Sequence, residues 1–287
     1  MLRQRVITAL VLLAILLPAL FAASPVPFIA LSVAMIAAAG WEWARLNGVT
    51  GAAALATGAV CGALCLALWG LGAVDRPLPG LWLASAAAWV VGGAWLIRGG
   101  VSGWPKLPRG LRWFVGVTAL CVAWLAMAQA RTLGVNFLLS LFMLVWAADV
   151  FAYFFGRALG GKLSAGRKLA PTISPGKSWE GVWGGMLGVL IVGFVWIGVD
   201  QRWATGSASL FTRLNGVGPW LLVLACLFLS AMSVVGDLIE SLVKRSAGMK
   251  DSSQLLPGHG GVLDRIDAML PTLPLAMMLV SVAGGGA

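Results

Sequence analysis

Asn136-Phe-Leu-Leu-Ser-Leu-Phe-Met-Leu-Val-Trp-Ala-Ala-Asp-Val-Phe-Ala-Tyr-Phe-Phe-Gly156 is apolar throughout except for one charge, Asp149. A helix needs roughly twenty predominantly apolar residues to cross the hydrocarbon of a bilayer, and this run is long enough. Eight more runs of the same character lie near residues 6–23, 26–44, 50–72, 80–97, 113–130, 181–199, 219–240 and 268–283. The 287-residue chain is 60% hydrophobic and 10% charged, where a soluble domain carries about 25% charged residues. Such a chain cannot cover itself with polar groups in water. The predicted fold class is therefore all-α: a polytopic integral membrane protein of about nine transmembrane helices. The 15 tryptophans against one tyrosine suit anchoring at the membrane interfaces, with some spent on packing.

Orientation follows from counting basic residues between the runs. With the N-terminus cytoplasmic and nine crossings, one side holds sixteen Lys and Arg and the other only Arg76, Arg131, Arg202 and Arg213. Positive residues accumulate on the cytoplasmic side, so the expectation is N-in and C-out. The opening Met1-Leu-Arg-Gln-Arg followed by an apolar run has the look of a signal peptide. With so many spans following, a retained first helix is the reading adopted. Arg98 to Arg112 reads as a loop from its Gly, Pro and charged residues. Net charge is +10, which cytoplasmic loops and anionic lipid head groups explain. No basic stripe with interleaved aromatics points to nucleic acid. Cys61, Cys65, Cys121 and Cys226 all sit in apolar runs without CxxC spacing, so neither a disulfide nor zinc is expected.

Two polar stretches interrupt this background, 157–180 and 241–267, and the count puts both on the cytoplasmic side. The chain accordingly divides into residues 1–135, a scaffold of lipid-facing helices, and residues 136–287, a catalytic region bearing both polar loops. Half of the ten carboxylates, Asp237, Glu240, Asp251, Asp264 and Asp267, fall within about thirty residues, beside Lys244, Arg245, Lys250, Arg265 and the only histidine, His259. Charge near a membrane is costly, and where it is retained it usually marks a site.

Asp237, Glu240, Ser241 and Lys244 follow helical spacing and form one polar stripe; Asp264 and Asp267 share a face if their segment is helical. Carboxylates without soft ligands suit a hard cation such as Mg2+, held together with water and phosphate oxygens. A second, monovalent cation is compatible with the same donors. Such a site serves phosphoryl or nucleotidyl transfer; intramembrane salt bridges are the bland alternative. Asp149 needs a cavity or a partner, with Tyr153 one turn on. Gly176-Lys177-Ser178 resembles the end of a P-loop, but Pro171 stands where the first Gly belongs and no strand is predicted before it. Ser174, Gly176, Lys177, Ser178 and Glu180 still form a turn suited to an anion at a helix entrance, or an ordinary basic loop. His259, flanked by Gly258, Gly260 and Gly261, is a phosphate donor, a general acid/base or a brace for its loop.

These residues resemble the phosphatidate cytidylyltransferase family (CDP-diacylglycerol synthases). Ser241-x-x-Lys244-Arg245, then Lys250-Asp251, then Pro257-x-His259-Gly260-Gly261-x-x-Asp264-Arg265-x-Asp267 meet its pattern in full. Asp149, Tyr153-Phe154-x-Gly156-Arg157 and Ser174-Pro-Gly-Lys-Ser-x-Glu-Gly181 meet the upstream part. The likeness covers about the C-terminal half; Ser253 stands where Gly is also common.

The resemblance implies an enzyme of the cytoplasmic membrane, with its site facing the cytoplasm, that joins CTP to phosphatidic acid. It also implies a homodimer. Asp237, Asp264 and Asp267 become the expected metal ligands, with Asp149 and Glu240 as further candidates. Lys244, Arg245, Lys250 and Arg265 would offset the triphosphate, helped by Lys177 and Ser178, with Ser241, Asp251 and the His259 turn counted as substrate-binding. The phosphate nucleophile is already anionic, so no strong general base is needed. Two rivals differ in kind. One is another CTP-dependent lipid enzyme, acting on an isoprenoid or ether-lipid phosphate. The other is an ion-coupled lipid transporter, whose polar residues would spread across mid-membrane helices instead of gathering at one face.

Overall fold

The computed structural model describes residues 2–203 and 206–284, and the apolar runs become helices. These are α1 (Leu2–Phe21), α2 (Val26–Leu46), α3 (Gly51–Gly70), α4 (Pro79–Ala87), α5 (Gly93–Gly103), α6 (Arg109–Leu133), α7 (Val135–Leu159), α8 (Trp179–Trp203), the short α9 (Leu210–Val217), α10 (Pro219–Ser246), α11 (Leu263–Ile266) and α12 (Met269–Ala283). Among the described residues, eight runs are long and apolar enough to cross a membrane, and α1 adds a shorter apolar stretch, Val6–Phe21. The protein is a polytopic all-α membrane protein.

Hydrogen bonds at the helix ends sort the helix termini into two groups. At one end Thr8 on α1 donates to the Pro257 carbonyl (2.9 Å), and Trp43 on α2 donates to the Arg112 carbonyl (3.0 Å). At the other, Arg131 donates to the Ala22 carbonyl (2.6 Å), and Asn136 to Asp200 (2.8 Å).

Three local expectations change. The loop expected over 98–112 is partly helical: α4 and α5 run together through a π-helical turn, Ala88–Gly92, the chain kinks at Gly100 (φ 63°), and a 3-10 turn follows at Trp104–Lys106. Trp104 explains it. Its ring is buried edge-on against Trp43 at 5.6 Å and its indole N–H reaches Asn47 Oδ1 at 3.1 Å, so tertiary contact overrides the weak helix propensity of the glycines. Inside the loop 157–180, strands β1 (Lys168–Ala170) and β2 (Ser174–Ser178) pair antiparallel, pinned by buried Ala170 and Ile173. Three and five residues are too few to announce a strand by alternation. Several tryptophans, finally, are interior cross-links. Trp124 donates to Ser32 Oγ, Trp113 to Thr57 Oγ1 and Trp196 to Asn136 Oδ1, each at 3.0 Å. Away from water an indole N–H needs such a partner.

One hydrophobic core runs through both halves, with α12 packed on α4 and α6 as well as on α10. The most extensive helix–helix contact is that of α7 with α8, where small residues let the backbones approach. A Cβ added at Gly185 would lie 2.8 Å from the Ala148 carbonyl oxygen, and one at Gly181 3.0 Å from that of Ala152. This contact carries Asp149 beside the entrance of α8. Gly185→Ala must force the helices apart, and overpacking of this kind costs about 1–3 kcal/mol. A lowered unfolding temperature in detergent is the expected result, read by tryptophan fluorescence.

Candidate active site

The site forms where α7, α8, α10 and β2 meet. Asp149 from α7, Lys177 from β2 and Asp237 from α10 line a cleft of about 430 Å3, together with Tyr153 and Ser230. The Lys177 ammonium sits 2.5 Å from Asp237 Oδ2. The two polar loops, more than fifty residues apart in the chain, therefore share one end of the molecule. Asp267 belongs to the same group: Asp149, Asp237 and Asp267 lie within electrostatic reach of one another, with Lys177 and Arg265 acting on Asp149. Gly236 makes this approach possible. A side chain there would run into the Asp267 carbonyl and come within 2.9 Å of Pro271.

Behind the cleft is a second cluster. Lys244 pairs with Glu240 one turn back on α10 and with Asp264 Oδ1 at 2.6 Å. Asp264 is also hydrogen-bonded by the Gly261 amide (2.7 Å), the Ser252 hydroxyl (2.9 Å) and the Ser252 amide (3.0 Å). Both its oxygens are engaged by protein donors. Asp264, expected beside Asp237 and Asp267 as a metal ligand, holds its loop together through these bonds. Glu240, 3% exposed, serves as the partner of Lys244. Ser241 donates to Asp237 Oδ1 at 3.1 Å, which orients that carboxylate.

The remaining expected residues divide. Gly176, Lys177 and Ser178 line the cleft, whereas Ser174 sits at the start of β2. Ser178 is the cap of α8: its Oγ accepts the Gly181 amide at 3.2 Å, a standard helix-start bond. Glu180, 1% exposed, does not line the cleft. Its Oε1 accepts the Leu163 and Ser164 amides at 3.0 and 2.8 Å, bracing the loop before the hairpin. Arg245 is exposed and reaches the Met249 carbonyl at 3.5 Å. Lys250 and Asp251 border a separate hollow of about 590 Å3 with Trp41, Arg45 and Gln254.

His259 stands in a tight turn: the Leu256 amide donates to the Gly260 carbonyl and the His259 amide to the Leu256 carbonyl, each at 2.8 Å, with positive φ at Gly258 (76°) and Gly260 (82°). At Gly260 space is also lacking, since a Cβ would lie 2.7 Å from Asp264 Oδ2.

Glu42 on α2 is the residue that sequence reading passed over. It is fully buried and hydrogen-bonded to the polar block at Ser253, Val262 and Leu263. A signal was present: an acid inside an apolar run, between Trp41 and Trp43, is a functional candidate by default.

Among the described residues, no three His, Cys, Asp or Glu side chains are arranged so that they could hold a metal ion by themselves. The donor chemistry nevertheless fits a hard divalent cation: the Asp149, Asp237 and Asp267 group offers only oxygen, and water and phosphate oxygens ordinarily complete such a shell.

The cytidylyltransferase family model matches residues 3–283. The chain belongs to the cytidylyltransferase family. Its similarity to the phosphatidate cytidylyltransferase of Pseudomonas aeruginosa is 38% identity over 293 aligned positions, covering 100% of both chains. The Haemophilus influenzae phosphatidate cytidylyltransferase is 49% identical over 141 residues, 49% of this chain and 44% of the relative. That of Brucella melitensis is 39% identical over 173 residues, 60% and 55% respectively.

The cluster around Lys244 is largely buried and depends on its one cation. Lys244→Met strands Glu240 and Asp264 as unpaired buried acids, a loss of about 3–5 kcal/mol for a buried pair. Its expected effect is a steep fall in thermal stability in detergent, larger than that of Arg245→Met at the exposed neighbouring position.

Proposed function

We infer that this membrane protein is a phosphatidate cytidylyltransferase, converting CTP and phosphatidic acid to CDP-diacylglycerol and pyrophosphate. Membership of the cytidylyltransferase family, with relatives of that name, supports the activity. The observation that carries the site is the acid-and-lysine cleft of Asp149, Lys177 and Asp237 at the polar end of the helices.

In the reaction a phosphatidate oxygen attacks the α-phosphorus of CTP, the bond from that phosphorus to the bridging oxygen breaks, and pyrophosphate leaves. The nucleophile is anionic, so the chain need not supply a strong base. Its work is to bring two highly charged molecules together and to offset the charge. Lys177, on the hairpin at the cleft wall, is placed to meet phosphate oxygens. Arg265 adds positive charge nearby. Asp237 and Asp267, with Asp149 beside them, would hold a magnesium ion, which when bound neutralises charge on the triphosphate. Asp264 and Lys244 keep the loop and α10 in register. Lys250 and Asp251 stand farther out, with Arg45, at the hollow beside α2. The basic-residue count supports a cytoplasmic position for this end, where CTP is found, and the cytoplasmic membrane as the location. The homodimer belongs to the same reading and rests on family resemblance alone.

Pyrophosphate release by the purified protein in detergent, with CTP, phosphatidic acid and Mg2+, is the direct test. Asp237→Asn and Lys177→Met should each lower kcat by roughly 100-fold or more, the usual scale for losing one electrostatic partner of a transition state. EDTA should abolish turnover and added Mg2+ restore it. Release that needs no phosphatidic acid would remove the lipid assignment, and a fully active Asp237→Asn would remove that residue from the site.

A further inference from the structure

A helix near the start of the chain, α2, supplies one of the main supports of the polar block. Glu42 is 0% exposed within α2 and forms no ion pair with any described residue. Its Oε1 accepts the Ser253 hydroxyl at 2.5 Å and the Val262 amide at 3.0 Å, while Oε2 accepts the Leu263 amide at 2.7 Å. A buried carboxylate without a cation is expensive unless several donors satisfy it. Here the donors all belong to the loop that leads from α10 to α11, more than two hundred residues away.

Ser252 and Ser253 are held from opposite sides, the first by Asp264 and the second by Glu42. The amides of Gly261, Val262 and Leu263 are shared in the same way, the first to Asp264 and the next two to Glu42. Asp264 continues through Lys244 to α10. A continuous polar path thus runs from α2 through the loop to the helix that carries Asp237. Asp267 follows α11 directly, so the position of the loop decides where Asp267 meets Gly236 and Asp237. Glu42 lines neither hollow.

We propose that Glu42 is a positioning residue for cytidylyl transfer: α2 sets the geometry of the Asp264–Asp267 segment through this carboxylate. The proposal rests on the cytidylyltransferase reading above. Its structural half can be tested without substrate. Glu42→Gln keeps the size and one acceptor oxygen but turns an NH2 group toward a donor, so it loosens the clamp without opening a cavity. Glu42→Ala risks failing to fold and serves only as a comparison.

Hydrogen exchange of residues 250–267 in detergent, without CTP or lipid, should rise about tenfold in Glu42→Gln, with α7 and α8 unchanged, as local opening predicts. In steady-state assays kcat should fall on the order of 100-fold, the scale of a small misplacement of reacting groups. The Mg2+ concentration for half-maximal rate should rise with it, which a smaller folded fraction would not produce. Ser253→Ala, removing one of the three bonds, should give a smaller change in the same direction. Unchanged exchange, or local exchange with normal kcat and Mg2+ dependence, overturns the proposal. So does a rate loss that only tracks a uniform rise in exchange across all helices. If the wild type transfers no cytidylyl group, the function falls, and the exchange result still decides whether Glu42 orders the loop.

Discussion

Asp264 gathers a lysine, a hydroxyl and two backbone amides onto one carboxylate, and the geometry of the polar end follows from that convergence. Lys244 ties it to α10, Ser252 ties it to the loop beyond, and Gly261 closes the turn that begins α11. In a region poor in water each of these donors would be costly to leave unpaired. Loop, turn and helix end are thereby obliged to occupy one arrangement. Asp237, which lines the cleft, and Asp267 are brought together as a consequence.

The constraint extends outward through groups that have no water to fall back on. Glu42 answers the amides that Asp264 does not reach, and Glu180 does the same for the loop before the hairpin. Indole N–H groups of Trp43, Trp104, Trp113 and Trp124 perform a related task between helices, each finding an oxygen on a neighbour. Close packing completes the frame where polar bonds are lacking. Gly181 and Gly185 let α8 lie against the carbonyls of α7, and Gly236 lets the Asp267 backbone lie against α10. A membrane enzyme gains little from hydrophobic association between helices, so small residues and satisfied polar groups carry the packing.

Much of this was legible in the chain. The spans were readable because apolar length is a physical requirement of the bilayer, and the shared end of the two polar loops because basic residues count by alternation. Asp149 and Asp237 were named from charge in an apolar setting and Lys177 from its Gly-Lys-Ser turn, and the fold brings them to one cleft. The division of labour among the acids was not legible. Asp264 and Asp267 look equivalent three residues apart, yet only Asp264 is saturated by neighbours. Ser178 and Glu180 read as ligands for an anion, but one caps α8 and the other braces a loop, because free amides nearby compete for the same oxygens.

The sequence by itself determined the solvent of this protein, the place of its long apolar helices, the two polar loops and the family. Each of these depends on composition, spacing or motif, which are properties of the chain read locally. The tertiary structure alone decided which carboxylate faces the cleft and which is spent on the frame. It also decided that the first half of the chain, through Glu42, reaches the block at 252–263. Those are questions of which donor lies within hydrogen-bonding distance of which acceptor, and only the packed helices bring residues 42 and 263 together.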